Sequence, residues 1–176
     1  MFARRKRTYD YAALYEHAVG ALARKMRTVA ELKRLLRQRV GQQNDGEELI
    51  EAVVSKLKGQ KYLNDSQYAA LFASYRKDNE KFGRLRVITD LKVKGVHGEV
   101  IEKSVASAYA GTDEEKLARD FCARKRLRKP ANEKEAARIF RALLRAGFTS
   151  KTIFKVLKKW DVNDETLEAL DSEMEE

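Results

Sequence analysis

The feature that most constrains this chain is a short segment that its sequence carries three times. The copies are "ELKRLLRQRV" at residues 31–40, "VITDLKVKGV" at 87–96 and "IFRALLRAGF" at 139–148. Their apolar positions align: Leu32 with Ile88 and Phe140, Leu35 with Leu91 and Leu143, and Val40 with Val96 and Phe148. From residue 32 to 88 and from 88 to 140 the spacings are 56 and 52 residues. Repeats of about this length indicate a modular array rather than one globular core.

The residues around each copy extend the repeat to three helices. A helix-like stretch precedes each copy, and a further apolar set follows it, delayed in the first copy by the polar insertion "GQQNDG". Gly95 and Gly147 stand where a helix ends in a left-handed turn, each followed by an apolar residue. Capping-box spacing supports the helix starts: it occurs at Thr28 with Glu31, Thr112 with Glu115, Asn132 with Glu135 and, in a similar form, Asn64 with Gln67.

The composition favours the same all-α fold. The chain has 9 glycines and one proline, Pro130, too few for a turn-rich β fold. We therefore predict an elongated tandem array of three three-helix, helix-turn-helix-like repeats. The predicted segments are a basic amino-terminal segment (1–10), repeat 1 (11–60), repeat 2 (61–111), repeat 3 (112–160) and an acidic carboxy-terminal tail (161–176).

The charge is distributed unevenly along the chain. The formal net charge is +10, but residues 161–176 contain eight acidic residues and no basic ones. Residues 1–160 therefore hold all 37 basic residues and 19 of the 27 acidic ones, a net charge of +18. Such a body attracts polyanions, above all nucleic acid or a filament formed on it. A highly charged, solvated surface is the alternative interpretation.

Basic side chains recur on one face of the helices in all three repeats, at spacings of three and four residues. We interpret these faces as a continuous positive surface that contacts an anionic partner. The candidate contact residues are Lys33, Arg34, Arg37, Arg76, Arg84, Arg86, Lys92, Lys94, Arg124, Arg126, Arg138, Arg141, Arg145, Lys151 and Lys155. Cations at the carboxy-terminal end of a helix also stabilise its dipole, which accounts for part of the run at 124–129.

No catalytic chemistry is predicted. His17 and His97 have no partners at metal-ligand spacing, and no phosphate loop or dinucleotide motif occurs. We predict a protein that is not an enzyme and binds no cofactor. The aromatic residues Tyr62, Tyr68, Phe72 and Tyr75 could stack on bases, although packing in the core is the favoured interpretation.

The sequence also indicates where the protein works. No apolar run approaches the roughly 18 residues of a membrane span, and the basic start "MFARRKRTYDY" leads into no apolar signal core. Cys122 is the single cysteine, which suits a reducing compartment. We expect a cytoplasmic monomer that does not associate with membranes.

Residues 62–96, "YLNDSQYAALFASYRKDNEKFGRLRVITDLKVKGV", resemble the RecX family of regulatory proteins. The family pattern stands here as Tyr62-Leu63-Asn64-Asp65, Tyr68-Ala69, Arg76, Gly83, Arg86-Val87, Leu91 and Lys94-Gly95-Val96. The sequence departs from it at Tyr68, where Phe is usual, and at Val87, where Ile is. The first repeat adds "ALARKMRTVAELKRLL" and the third adds "LLRAGF", so that the resemblance covers roughly residues 11–160.

The resemblance implies a cytoplasmic modulator of the RecA recombinase, built as a curved array of three-helix units. Such proteins lie along the groove of the RecA–DNA filament and oppose its growth, ATP hydrolysis, strand exchange and repressor co-cleavage. The expected partners are the RecA filament and single-stranded DNA, with double-stranded DNA left open. Among the motif residues, Arg76, Arg86 and Lys94 are the favoured contact candidates. The alternatives are a sequence-nonspecific DNA-binding protein and a structural scaffold.

Overall fold

The computed structural model describes residues 8–175, and helices are the only regular structure in that range. The ten helices are α1 (Tyr11–Arg24), α2 (Val29–Val40), α3 (Gly46–Gly59), α4 (Asp65–Asp78), α5 (Arg84–Val93), α6 (Gly98–Ala108), α7 (Glu114–Arg124), α8 (Glu133–Arg145), α9 (Ser150–Lys158) and α10 (Asp164–Glu175). The predicted all-α class is therefore confirmed. Most of the predicted basic amino-terminal segment, residues 1–7, lies outside the described residues.

The helix starts follow local capping chemistry. At α2 the Thr28 hydroxyl accepts the Glu31 N–H at 3.1 Å, and the Glu31 carboxylate accepts the Thr28 N–H at 3.2 Å. At α8 the Asn132 side chain accepts the Glu135 N–H at 2.9 Å. The predicted cap at Thr112 is wrong: α7 is capped one residue later by Asp113, whose carboxylate accepts two backbone N–H groups at 3.0 and 3.1 Å. A carboxylate at this position also complements the positive end of the helix dipole.

The second helix of each repeat ends at a glycine. Gly41, Gly95 and Gly147 have φ values of +60°, +75° and +89°, in the left-handed region that glycine adopts most easily. After α5 the Val96 N–H donates to the Leu91 carbonyl at 3.1 Å, and after α8 the Phe148 N–H donates to the Leu143 carbonyl at 3.2 Å. These six-to-one bonds are the Schellman closure that the sequence predicts.

The chain divides into two compact units, and the division falls within the second repeat. Of the described residues, the first unit contains 8–69 and 91–101, and the second contains 70–90 and 102–175. The core of the first unit comes mainly from α1, α2 and α3, with fully buried side chains at Leu14, Leu32, Leu36, Ile50 and Leu57. The core of the second comes from α7 to α10 and includes Phe140, Leu143, Phe148, Ile153 and Leu157.

In the first unit, hydrogen bonds between side chains and backbone at the start of α2 join the first repeat to the second. The Thr28 hydroxyl donates to the Lys94 carbonyl at 2.7 Å, just before the glycine turn that ends the α5 segment. The Val29 N–H donates to the Asp65 carboxylate at 2.8 Å. A Cβ on Gly95 would overlap the methyl group of Ala30, so that only glycine fits this approach.

The second unit contains the equivalent joint one repeat later, at the start of α5. The Gly83 N–H donates to the Ala146 carbonyl at 2.8 Å, and the Leu85 N–H donates to the Gly147 carbonyl at 3.3 Å. A Cβ on Gly147 would lie 2.9 Å from the Arg86 Cα and closer still to its backbone nitrogen. In both units, therefore, the start of a second helix meets the glycine turn of the next repeat, as expected for tandem repeats.

The acidic carboxy-terminal segment contains a helix, α10, that the sequence analysis did not specify. Leu167 is fully buried and Leu170 is nearly so, and both belong to the core of the second unit. No helix within the described residues combines the length and the apolar content needed to cross a lipid bilayer.

Candidate nucleic-acid interface

The basic residues proposed from the sequence fall into two groups according to their ion pairs. Five of the fifteen have a carboxylate partner: Lys33, Arg37, Arg76, Arg86 and Lys94. The other ten are exposed and have no ion pair among the side chains that the structure describes, those of residues 8–170 and 172: Arg34, Arg84, Lys92, Arg124, Arg126, Arg138, Arg141, Arg145, Lys151 and Lys155. The structure thus separates cations that bind within the fold from cations that face solvent.

On α2 the basic face is neutralised by acids of α3. Lys33 pairs with Glu51, and Arg37 forms a two-pronged contact with Glu47, from Nε to Oε1 at 2.7 Å and from Nη2 to Oε2 at 2.9 Å. The hydrogen bond from Arg37 lowers the pKa of Glu47 and outweighs desolvation, which acts in the opposite direction. Exposed pairs of this kind contribute little to stability. They do, however, cancel the positive charge of this face.

Arg76 lies at the centre of a cluster in the second unit. Its guanidinium pairs with Glu80 one turn later on the chain and with Asp90 of α5, which also accepts Arg86 Nε at 3.0 Å. The Arg76 Cζ lies 5.2 Å from the ring centre of Phe72 and 4.7 Å from that of Phe82, within cation–π range. Only 20% of the side chain is exposed. This environment ties α4 to α5 and leaves little of the guanidinium for a partner.

Lys94 has a comparable position in the first unit. Its Nζ lies 2.9 Å from Glu31 Oε1 and 5.6 Å from the ring centre of Tyr68. Burial alone would raise the pKa of Glu31, but the hydrogen bonds from Lys94 and from the Thr28 N–H outweigh it and hold that pKa below its usual value. Lys94 is therefore part of the joint that holds the start of α2 against the α5–α6 turn.

The largest group of unpaired cations lies on α8 and α9, in the second unit. Arg138, Arg141 and Arg145 are exposed on α8, opposite its buried face, and Lys151 and Lys155 are exposed on α9. Lys134 belongs with them, because it is exposed and lies four residues before Arg138. The sequence analysis missed Lys134, although its helical spacing was the available signal.

A difference between α3 and α9 explains why only the α2 face is neutralised. The α3 sequence "GEELIEAVVSKLKG" has three glutamates in its first half, whereas the α9 sequence "SKTIFKVLK" has no acidic residue. In the repeat alignment Arg141 and Arg145 correspond to Lys33 and Arg37, while Ser150 corresponds to Glu47. The same helix pair thus carries a neutral face in the first repeat and a positive one in the third.

The aromatic residues near the junction of the first two repeats also separate into two classes. Tyr68 is 7% exposed and Phe72 contacts Arg76, which agrees with core packing. Tyr62 and Tyr75 are instead 65% and 56% exposed. Among the described residues, the exposed large apolar side chains all precede residue 94: Tyr11, Val19, Met26, Tyr62, Leu71, Tyr75, Leu85 and Val93.

The titratable residues that could carry chemistry stand apart from one another. Within residues 8–175 no group of three histidine, cysteine or acidic side chains is placed to hold a metal ion. Burial, followed by the charges of Arg39 and Arg24, lowers the pKa of His17, whose Nε2 accepts Arg39 Nε at 3.2 Å. Burial raises the pKa of the Cys122 thiol to about 11, which disfavours the reactive thiolate.

Solved structures of similar fold support the helical architecture. A crystal structure of a regulatory protein RecX superposes with a TM-score of 0.69 over 85% of this chain and 71% of that chain, at 21% identity. The crystal structure of RecX from Lactobacillus salivarius gives a TM-score of 0.66 over 86% of this chain and 96% of that one, at 20% identity. At such identities the likeness concerns the fold alone.

Sequence relatives carry the comparison further, although no family model matches the chain. The regulatory protein RecX of Myxococcus xanthus is 31% identical over 167 residues, covering 88% of this chain and 89% of the relative. The regulatory protein RecX of Caldanaerobacter subterraneus subsp. tengcongensis is 31% identical over 80% of this chain and 67% of the relative. That of Chromobacterium violaceum is 30% identical over 82% of this chain and 89% of the relative. These relatives confirm the resemblance drawn from residues 62–96. The chain belongs to the RecX family of regulatory proteins.

Proposed function

We propose that this protein is a negative modulator of the RecA recombinase in the cytoplasm. It binds along the groove of the RecA–single-stranded DNA filament and inhibits filament extension, ATP hydrolysis and strand exchange. Family membership supports the target, and the single observation that carries the mode of binding is the set of ten exposed cations that have no ion pair among the described side chains. In this proposal those ten contact the filament, while Arg76, Lys94 and the other paired cations hold the fold.

Two features of the surface fit a partner made of both protein and nucleic acid. The exposed cations fit the phosphate backbone, which dominates the affinity of most nucleic-acid-binding proteins. Leu71 and Tyr75, one turn apart on α4, are 53% and 56% exposed. Apolar and aromatic side chains in such positions are typical of protein contacts. A DNA strand coated with recombinase offers both kinds of surface.

The test is ATP hydrolysis by the cognate RecA on single-stranded DNA, with this protein titrated from substoichiometric ratios. We expect hydrolysis to fall already at ratios well below one molecule of this protein per RecA subunit, because a protein that blocks filament extension acts on many subunits. A variant with Arg138→Glu and Arg141→Glu should inhibit less while keeping its helix content. Full inhibition by that variant would remove Arg138 and Arg141 from the binding surface, and no inhibition by the wild type would reject the proposal.

A sequence-nonspecific DNA-binding protein is the second candidate function, and the same unpaired cations favour it. Hydrolysis would then fall only when the protein suffices to coat the DNA. About six phosphate contacts would give a log–log salt slope near −5 on duplex DNA. A RecA-directed protein should instead keep its preference for the coated filament at salt concentrations that abolish binding to naked DNA.

A further inference from the structure

We propose that the exposed side of α8, formed by Lys134, Arg138, Arg141 and Arg145, is a phosphate-binding site for the sugar–phosphate backbone of a nucleic acid. We call it the α8 face. The inference deepens the proposed function and rests on it, because it assigns one part of the unpaired surface to DNA rather than to RecA. Each of its residues is exposed and, among the described side chains of residues 8–170 and 172, without an ion pair.

The spacing of the four cations makes the α8 face a straight line of charge. They stand at steps of four, three and four residues. At 3.6 residues per turn these steps keep all four within an arc of about 60° on one side of the helix, and the rise places the first and last about 16 Å apart. The buried side chains of α8, among them Ile139 and Phe140, lie on another side. A line of regularly spaced cations matches a linear polyanion.

The acids of α8 do not neutralise this line. Glu133 and Glu135 both lie in its first turn. Glu135 is engaged at the helix start, where its carboxylate accepts the Ala131 N–H at 2.9 Å. Beyond that turn α8 contains no acidic residue, and α9 contains none at all. Among the side chains described at residues 8–170 and 172, none forms an ion pair with the three arginines.

The first repeat provides an internal comparison for this charge. At the positions of Arg141 and Arg145 it has Lys33 and Arg37, which Glu51 and Glu47 neutralise. The basic positions are therefore common to both repeats, and the neutralising acids are what differ. A cation needed only for packing or solubility would tolerate a carboxylate neighbour equally well in either repeat, whereas a phosphate site requires that the acid be absent.

The chemistry of the face favours phosphate over an acidic protein surface. Three of its four cations are arginines, whose planar forks bind phosphate oxygens in pairs. Protein interfaces are anchored by large apolar or aromatic side chains near their centre. Among the described residues no exposed side chain of that kind lies on α8 or α9. In the described part of the chain the exposed large apolar side chains all lie before residue 94, so that the α8 face has charge without an apolar anchor.

The experiment measures binding of the full chain to a fluorescently labelled single-stranded oligonucleotide, without RecA, between about 50 and 200 mM salt. The test variant is Arg141→Gln with Arg145→Gln. Loss of two phosphate contacts should make the negative log–log salt slope shallower by about 1.4, at roughly 0.7 per contact on single strands. The control is Lys33→Gln with Arg37→Gln, which removes the same charge from the same repeat positions and should leave the slope unchanged.

A second variant restores an acid without removing any arginine. Ser150→Glu places a carboxylate at the position that Glu47 occupies in the first repeat. The new carboxylate should pair with Arg145 and make the negative salt slope shallower by about 0.7, the value for one contact. Unfolding curves of all three variants verify that the fold is retained.

The outcomes separate this inference from the proposed function. Equal slope changes in test and control variants would show that only net charge matters, and would overturn the site. No detectable binding of the wild type to the oligonucleotide would also overturn it. An unchanged slope in the test variant together with lost inhibition of RecA hydrolysis would assign the face to an acidic protein surface. A shallower salt slope in the test variant, together with no inhibition of RecA hydrolysis by the wild type, would support the site and reject the proposed function.

Discussion

The guanidinium of Arg76 is held by two carboxylates and two aromatic rings of the second unit, and only 20% of its side chain is exposed. Removing it leaves Glu80 without its ion-pair partner and takes one of two cations from Asp90. We expect Arg76→Met to lower the free energy of unfolding by about 2 kcal/mol, because hydrogen bonds to charged groups that are partly buried are costly to leave unmade. Urea unfolding followed by circular dichroism measures the change.

Arg84→Met is the matched control for Arg76→Met. Arg84 is exposed at the start of α5 and has no ion pair among the side chains that the structure describes. Its replacement should change the unfolding free energy by less than about 0.5 kcal/mol, as is usual for surface positions. A comparable loss in both variants would contradict a structural role for Arg76.

The Glu31 carboxylate gives the stability of the first unit an acid dependence. Its pKa is held below the usual value although burial opposes this, because Lys94 and the Thr28 N–H donate hydrogen bonds to it. A group whose folded-state pKa is lowered stabilises the fold above its unfolded pKa, near 4.3, and loses that contribution as the pH falls further. Glu31→Gln should therefore be less stable than wild type at pH 7, and the gap should narrow below about pH 4.

Urea midpoints at several pH values test this prediction. Glutamine keeps the capping-box hydrogen bond, so that the substitution removes the charge alone. Glu48→Gln is the control, since Glu48 is exposed on α3 and has no ion pair in the described chain. A gap between wild type and Glu31→Gln that stays constant with pH would show that the Lys94 contact adds no charge-dependent stability.

Among the helices, the joint between the start of α5 and the α8–α9 turn depends on the absence of a side chain at Gly147. That residue has φ +89°, and a Cβ would overlap the backbone of Arg86. We expect Gly147→Ala to cost about 3 kcal/mol or more, from backbone strain together with overpacking. Thermal and urea unfolding measure the loss.

Gly111→Ala measures the cost of backbone strain without the steric overlap of the added Cβ. Gly111 has φ +66° in the same unit, but a Cβ there would meet no atom within 4 Å. Its replacement should cost about 1 kcal/mol, from strain alone. Equal losses in the two variants would show that the joint can relax to accept a methyl group.

The sequence predicts these helices well but predicts their ion pairs poorly, for a physical reason. Helix starts and glycine turns depend on residues a few positions apart, so that Thr28, Gly95 and Gly147 can be interpreted from local spacing. Asp90, the more distant partner of Arg76, and Glu31, the partner of Lys94, lie 14 and 63 residues away in sequence and become neighbours only through tertiary packing. The neutral face of α2 and the positive face of α8 look alike in sequence because the acids that distinguish them lie on the following helix.

Over the whole molecule, basic and acidic charge are separated along the chain, and the acidic part is not a simple appendage. The tail has eight acidic residues, but Leu167 and Leu170, three residues apart on α10, are buried in the core of the second unit. Their spacing is the local signal that the acidic composition obscures. The Lys158 Nζ also pairs with the Asp164 carboxylate at 2.6 Å. Truncation of this segment would therefore change stability and charge together.

Two variants of α10, a single and a double one, separate these effects. Leu167→Ala should lower the unfolding free energy by about 3 kcal/mol, because Leu167 is fully buried and the change leaves a cavity. Glu165→Gln with Glu168→Gln should change the unfolding free energy by less than about 0.5 kcal/mol, because both side chains are exposed. The double variant should bind single-stranded DNA more tightly than wild type at low salt. At about 0.15 M salt the two should bind equally, because exposed charges more than roughly 8 Å apart are then largely screened from each other. Tighter binding that persists at the higher salt would instead place these acids in contact with the basic surface.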